Sequence, residues 1–354
     1  MSKVLYIIMN DIHPGQNHSG PTVRSLEVLK EIKNEHDKVD VIIGENPRER
    51  LENFKSLNSN NEYDFCYIEL KVGVTRYYDT LLLLSLKKKF KNLKVGMYYR
   101  DMYWAYGIHI SKGYFKNLFV PIANRFQLKF LSKIADVMFG QSKSFCTQME
   151  PLISSKCKLE VLPPGCEYVS STEVDSAGVI YVGEIDQVFS GVELLIESMR
   201  LVNKKQYVPL YLVCRKHEYE ESILIQEANK KYDWLNIEHH TKETIGAAYS
   251  KASIAIIPRH KNQYTKLCLP IKLFEYITYE LPIIAVKHGE VSHFIKDNNI
   301  GFVTNPDADE IANKVLDLLN NEVMGNALTD SLVKAKRNHS WNKRVSTITK
   351  VLSS

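Results

Sequence analysis

Chemistry is densest in the stretch Cys268 to Val286, CLPIKLFEYITYELPIIAV, where Pro270, Ile271, Lys272 and Glu275 open a segment of helical spacing. Pro270 suits a first helical turn, because its missing N–H would lack a partner there in any case. Ile271, Phe274, Tyr276 and Ile277 recur with the period of a helix. Leu281 to Val286 is an apolar run short enough for a central strand. The free N–H groups and positive dipole end of such a helix attract phosphate. Lys272 adds to that field, and Glu275, three residues on, offers a carboxylate to sugar hydroxyls. The plainer alternative is an amphipathic helix with a solvated Lys–Glu pair, and this stretch taken alone favours it.

Other charges stand at the ends of predicted strands, the edge where open α/β sheets bind ligands. Strand Val95 to Tyr99 runs into Arg100 and Asp101, and strand Leu210 to Cys214 into Arg215 and Lys216. Arg259, His260, Lys261 and Lys266 follow strand Ile254 to Ile257. Arginine suits two-point contact with phosphate, whereas lysine acts as a point charge. Lys216 and Lys261 read as simple exposed charges. Gly20 lies in the loop Asn10 to Pro21 between first strand and first helix, and a glycine there permits close approach of a ligand. A plain βα loop fits as well, and the absence of GxGxxG argues against a dinucleotide.

The elements that must hold these residues alternate between strand and helix. Val4 to Met9, Val39 to Ile43, Tyr63 to Leu70 and Val95 to Tyr99 read as strands, with helices at Thr22 to Lys33 and Tyr78 to Lys89. Val137 to Gly140 and Lys158 to Leu162 follow, and Leu162-Pro163-Pro164-Gly165 reads as a stiff hinge. A second series starts at Val179 to Val182, with a loop from Gly183 to Gly191 and a helix from Val192 to Val202. The expected fold class is α/β, with two Rossmann-like domains at 1–165 and 166–335 and a closing segment, 336–354, that crosses back to the first. Between 103 and 133, aromatics such as Trp104, Phe119 and Phe126 alternate with Lys112, Arg125, Lys129 and Lys133. That mixture suits either an interface with anionic lipid or a core helix with a solvated basic face, the latter being the more economical reading.

A chain of 354 residues accommodates two cores, and 44% hydrophobic with 25% charged residues is an ordinary globular composition. The net charge of +5 suits anionic ligands but is too small to argue for nucleic acid. Six cysteines show no metal-ligand spacing and read as reduced thiols, so no metal is expected. With no leader-like start and no apolar run of membrane-spanning length, the expected location is cytoplasmic, with the inner face of the membrane open through 103–133. No Walker loop, G-x-S-x-G elbow or HExxH occurs.

The order P-x-K-x-x-E-Y, then a proline and a buried strand, resembles the donor-binding segment of GT-B glycosyltransferases, most closely the retaining glycosyltransferase 4-like (group 1) family. The resemblance extends to Gly183 and its loop, to Leu162–Gly165, to Gly289-Glu290 and to Gly301-Phe302. It implies two parallel sheets facing a cleft and a metal-independent hexosyl transfer from a nucleotide sugar, UDP-linked in the first instance. The acceptor would be a hydroxyl of a glycan, a lipid-linked molecule or a protein, in cell-surface polysaccharide or glycoconjugate synthesis. It implies donor contacts from Gly20, Gly183, Arg215, Lys266, Pro270, Ile271, Lys272 and Glu275, with Glu275 on the ribose. Arg100, Asp101 and His109 would meet the acceptor, and Asp101 and Lys272 would carry catalysis. Asp101 would orient or deprotonate the acceptor hydroxyl, unless a salt bridge to Arg100 occupies it. The sequence departs from the family pattern at four positions. Leu267 stands for the first Glu of E-x7-E, Glu184 and Ser190 for the Arg and Lys of the Gly183–Gly191 loop, and Glu280 for a Gly. These departures keep two alternatives open, a non-catalytic partner subunit of an active transferase and a GT-B nucleotide-sugar epimerase.

Overall fold

The computed structural model describes residues 2–13, 20–108, 114–169, 178–186 and 189–354. The chain forms two compact units, Met1–Pro164 with Trp341–Ser354, and Gly165–Ser340. The first unit runs β1 (Lys3–Ile8), α1 (Gly20–Glu35), β2 (Lys38–Ile42), α2 (Pro47–Ser56), β3 (Phe65–Glu69) and α3 (Tyr77–Lys89). It continues with β4 (Val95–Tyr98), α4 (Tyr114–Ile134), β5 (Val137–Gly140), α5 (Lys143–Met149) and β6 (Lys158–Val161). The second unit opens with β7 (Gly178–Val182), α6 (Val192–Asn203), β8 (Leu210–Val213), α7 (Lys216–Glu221), α8 (Ile223–Lys231) and β9 (Leu235–Glu238). Then come α9 (Gly246–Tyr249), β10 (Ala252–Ile257), α10 (Ile271–Thr278), β11 (Ile283–Val286), α11 (Gly289–Asn298), β12 (Gly301–Thr304), α12 (Ala308–Leu319) and α13 (Glu322–Asn338). The last helix, α14 (Trp341–Ser353), belongs to the first unit.

Each unit is built on a six-stranded sheet, in the orders β2-β1-β3-β4-β5-β6 and β12-β11-β10-β7-β8-β9. Every strand pair is parallel. The central strands β1, β3 and β7 are buried along almost their whole length, which is why they read as unbroken apolar runs rather than alternating ones. These are the two Rossmann-like α/β units the sequence led us to expect. In such sheets the strand order reverses beside the first strand, and the carboxyl ends there are the natural ligand edge.

Helix α14 lays Trp341, Val345, Ile348 and Leu352 into the core of the first unit beside Val4, Tyr6 and Tyr98. Residues 336–338 complete α13, whose Leu332 and Ala335 are in the core of the second unit, so the return to the first unit starts at Trp341. At the outgoing end, Arg24 donates to the Pro163 carbonyl at 3.3 Å and Arg344 to the Pro164 carbonyl at 3.0 Å.

Helix α2 was not legible in the sequence, because its buried face is Leu51, Phe54 and a wholly buried arginine, Arg50. Arg50 donates to both carboxylate oxygens of Asp79 at 3.0 Å and to Asp11 at 2.9 Å. A single short turn of helix, Gly246–Tyr249, precedes β10. The aromatic–basic segment splits into a short 3-10 turn, Tyr103–Tyr106, and α4. Among the described residues no helix is long and apolar enough to cross a membrane. All six cysteines are buried, and none is in a disulfide.

Candidate functional site

Helix α10 is short, and its position is set by what it buries. Leu273, Phe274, Tyr276 and Ile277 enter the core of the second unit, each worth about 1.5–3 kcal/mol of apolar burial, while Ile271, Lys272 and Glu275 keep partial exposure. Pro270 caps this helix in an extended conformation (φ −72°, ψ 149°) and is not its first helical residue. The correction matters little chemically, since the first-turn N–H groups remain without a side-chain cap. The Tyr276 hydroxyl accepts from the Val182 N–H at 3.0 Å, fixing α10 against the last residue of β7. That contact sets Lys272 over the next residue, Gly183.

Gly183 and Lys272 fit each other closely. Gly183 has φ +134°, and a Cβ there would lie 2.8 Å from Lys272 Cε and closer still to Nζ. The ammonium rests 4.1 Å from the centroid of the Tyr181 ring, a cation–π contact. No carboxylate among the described residues forms an ion pair with it. Burial, helped by the positive charge of Arg259, pushes the Lys272 ammonium down to about 7, against weaker opposing fields from Glu275, Glu184 and Asp186. Lys272 is thus a cation held at cost and lacking its own counter-ion.

Glu275 accepts a hydrogen bond from the Tyr249 hydroxyl at 3.3 Å, and burial raises its carboxyl above the usual range despite the Lys272 charge. Tyr249 is itself stacked on Tyr279, with ring centroids 4.1 Å apart and 17° between planes. Neither tyrosine was singled out from sequence; both stand at positions where an aromatic is ordinary core. Leu267 is buried, so no carboxylate occupies the first position of the E-x7-E pattern. Glu280, where the family has Gly, adopts the left-handed conformation at φ 57°. Its carboxylate is held by Lys336 at 3.0 Å, which offsets the roughly 1–2 kcal/mol that a side chain costs there.

The remaining donor candidates separate. Arg215 caps α7 and faces the carboxylates of Glu218 at 3.3 Å and Glu184 at 3.8 Å. The Glu that replaces the family's Arg therefore sits beside an Arg from the next strand. Ser190 is buried and donates to the Asp186 carbonyl, closing the turn ahead of α6. Lys266 is exposed on the 3-10 turn Thr265–Leu267, whose backbone approaches Gly289 at the start of α11 so closely that a Cβ would clash with the Lys266 carbonyl. Arg259 follows Pro258 at the carboxyl end of β10; its Nη1 is buried without a hydrogen-bond partner among the described residues.

In the first unit Gly20 opens α1. The structure corrects the reading of Arg100. It is buried, and it donates to Glu69 at 2.8 Å and to Ser25 at 3.3 Å instead of facing solvent as an acceptor contact. Glu69 is shared with Arg24 at 3.2 Å and accepts from the Tyr67 hydroxyl at 3.0 Å. Asp101 is partly exposed just beyond β4. His109 lies outside the described residues. Among the described residues no group of three or more His, Cys, Asp or Glu side chains is arranged to hold a metal ion.

The two doubly wound units and the edge cluster of the second define a GT-B glycosyltransferase fold. Residues 176–321, which carry Gly183, Lys272 and Glu275, match the family model "Glycosyl transferases group 1". The whole fold is similar to sucrose-phosphate synthase from Thermosynechococcus elongatus, at 14% identity over 99% of this chain and 98% of that one, TM-score 0.72. It is also similar to α,α-trehalose 6-phosphate synthase from Burkholderia multivorans, at 10% identity over 99% and 96%, TM-score 0.68. HepE from Anabaena, solved in complex with UDP, aligns at 13% identity over 99% of each chain, TM-score 0.65. No curated protein sequence matches the chain.

Proposed function

We propose that the protein transfers a hexosyl group from a nucleotide sugar, with UDP as the nucleotide, to a hydroxyl acceptor, retaining anomeric configuration and without a metal ion. The observation that carries this reading is the unpaired Lys272 ammonium over Gly183, three residues from the partly buried Glu275, within the segment that matches group 1 glycosyltransferases. Lys272 and the free N–H groups opening α10 at Pro270 and Ile271 would neutralise the departing diphosphate. Glu275 would accept from the ribose hydroxyls, and Lys266 would reach the phosphates from the adjoining turn. The anomeric carbon–oxygen bond to the phosphate breaks, the acceptor oxygen bonds to that carbon, and the released phosphate takes the acceptor proton. Asp101 would orient the acceptor hydroxyl. The UDP complex of HepE supports UDP as the first nucleotide to test.

The acceptor is proposed to be presented at an anionic lipid surface. Helix α4 contains no acidic residue and exposes Phe119, Ile122 and Phe126 at 62%, 46% and 74%, spaced along one face beside Arg125. An apolar face of this kind flanked by cations suits a charged interface. Co-sedimentation with phosphatidylglycerol vesicles, absent with phosphatidylcholine alone, is the expected result.

Thermal unfolding with UDP and a set of UDP-sugars tests the transferase reading. A ligand at one hundred times its Kd adds roughly 2.7 kcal/mol, a readily measured shift. The shift is expected with UDP or one UDP-sugar and is expected to vanish in Glu275→Ala. Absence of a shift with every nucleotide tried would reject the donor site.

A further inference from the structure

The family pattern loses two cations in this chain, at Glu184 and Ser190, and the structure points to where one is replaced. Two features lock the loop after β10 against the turn that precedes α6. Gly191 has φ +67° and lies against the Pro258 carbonyl so closely that any Cβ would collide with it, and the His260 N–H donates to the Phe189 carbonyl at 3.2 Å. Arg259 lies between these contacts, so its backbone is fixed at the carboxyl edge of the sheet. Its side chain forms no ion pair among the described residues, and Nη1 is buried without a hydrogen-bond partner. Its charge acts on Lys272, where it is the largest influence after burial, and on Tyr181 beneath Lys272 as well. Like charges near each other repel, and here the repulsion adds to the desolvation of Lys272. Such a pair is stabilised when a polyvalent anion enters between or beside them.

We infer that Arg259 is the second cation of the donor diphosphate site, acting with Lys272 from the loop after β10 in place of the missing cations of the loop after β7. The inference rests on the donor reading above and adds a contact residue to it. The planar guanidinium, with Nη1 lacking a hydrogen-bond partner among the described residues, suits two-point contact with a phosphate, which a lysine at that position would give only as a point charge. Arg215 is the obvious rival by strand-end position, but the carboxylates of Glu184 and Glu218 already flank it. The negative charges of Glu184 and Asp186 also reach Lys272, so they would oppose an incoming phosphate and increase the need for a second cation.

Isothermal titration of the full chain with UDP, GDP, ADP and UMP tests this. Wild type is expected to bind one nucleoside diphosphate, and Arg259→Gln is expected to weaken it by about 10- to 100-fold, the range for losing a charge-assisted contact. Arg259→Lys is expected to recover part of that loss, and the corresponding monophosphate is expected to lose less than the diphosphate. Lys216→Gln, an exposed charge of the same sign, is expected to stay within about twofold. Each variant's unfolding midpoint is measured alongside, and Arg259→Gln is expected to match wild type. Wild-type binding with an unchanged Arg259→Gln affinity overturns the inference alone. A lower midpoint with equal losses for mono- and diphosphate also overturns it, by making Arg259 a structural residue. Failure of wild type to bind any nucleoside diphosphate removes the donor reading, and the inference with it.

Discussion

The carboxyl edges of the two sheets carry charge in opposite ways. At the first edge each guanidinium has found a carboxylate. Arg24 and Arg100 share the fully buried Glu69, and Arg50 holds Asp79 and Asp11. Tyr98 lies 3.6 Å under the Arg24 guanidinium, and the Pro163 carbonyl accepts from it. At the second edge, among the described residues, Lys272 rests on an aromatic ring with no ion pair, Arg259 keeps a buried donor unused, and Glu275 is held by a single phenol. Charges satisfied within the protein hold a sheet edge together. Charges left open at an edge cost stability in the free protein and are available to a ligand. That contrast supports the proposal that places the donor at the second edge and treats the first as scaffold.

The largest expected effect comes from opening the closed edge. Glu69→Gln leaves two buried guanidinium groups without their shared carboxylate and should cost about 3–5 kcal/mol in denaturant unfolding. A loss below about 1 kcal/mol would show that the ion pairs do not hold that edge. Next, Lys272→Ala should lower affinity for UDP by roughly 10- to 100-fold while leaving the unfolding midpoint unchanged or higher, because a desolvated charge without a partner is removed. A fall in stability comparable to that of the Glu69 variant would erase the contrast.

A smaller effect comes from Asp11. Burial alone would raise its carboxyl, but hydrogen bonds from Lys71, Arg50 and Arg76 outweigh it and hold the group at about 2. A folded value below the unfolded one means the stabilisation is complete above about pH 4 and lost as pH falls towards 2. The loss amounts to about 2 kcal/mol and should be absent in Asp11→Asn. The smallest effect is on the pH dependence of donor affinity. With Lys272 at about 7 in the free protein, affinity for UDP should decline from pH 7 to 9 by at most tenfold per unit, with proton uptake on binding. The same group, lower when folded than unfolded, makes the free protein more stable as pH rises above 7. An affinity flat from pH 7 to 9 would show that the Lys272 charge takes no part in binding.

Much of the fold was legible because parallel strands buried on both faces are unbroken apolar runs, and β1, β5, β7 and β11 read as such within two residues of their ends. Helix α2 was not, because its core face includes Arg50, a residue that periodicity counts as solvent-facing until Asp79 and Asp11 come to it from other elements. Lys272, Glu275 and Gly183 were candidates through the resemblance to the group 1 family, because their spacing alone fits a solvated Lys–Glu pair on an amphipathic helix. Arg100 read as an exposed edge charge because Glu69, its partner, is 31 residues away on the neighbouring strand.

The sequence by itself determined most of the strands and helices and that a cation and a carboxylate share one short helix. Those features depend on local periodicity and on the backbone limits of Pro and Gly. Tertiary structure alone decided which charges are used up and which stay open, since pairing depends on what the sheets bring within about 4 Å and on how much water they exclude. By that measure Arg100, Arg50 and Arg24 are closed into the first unit, and among the described residues Lys272 and Arg259 are left open in the second.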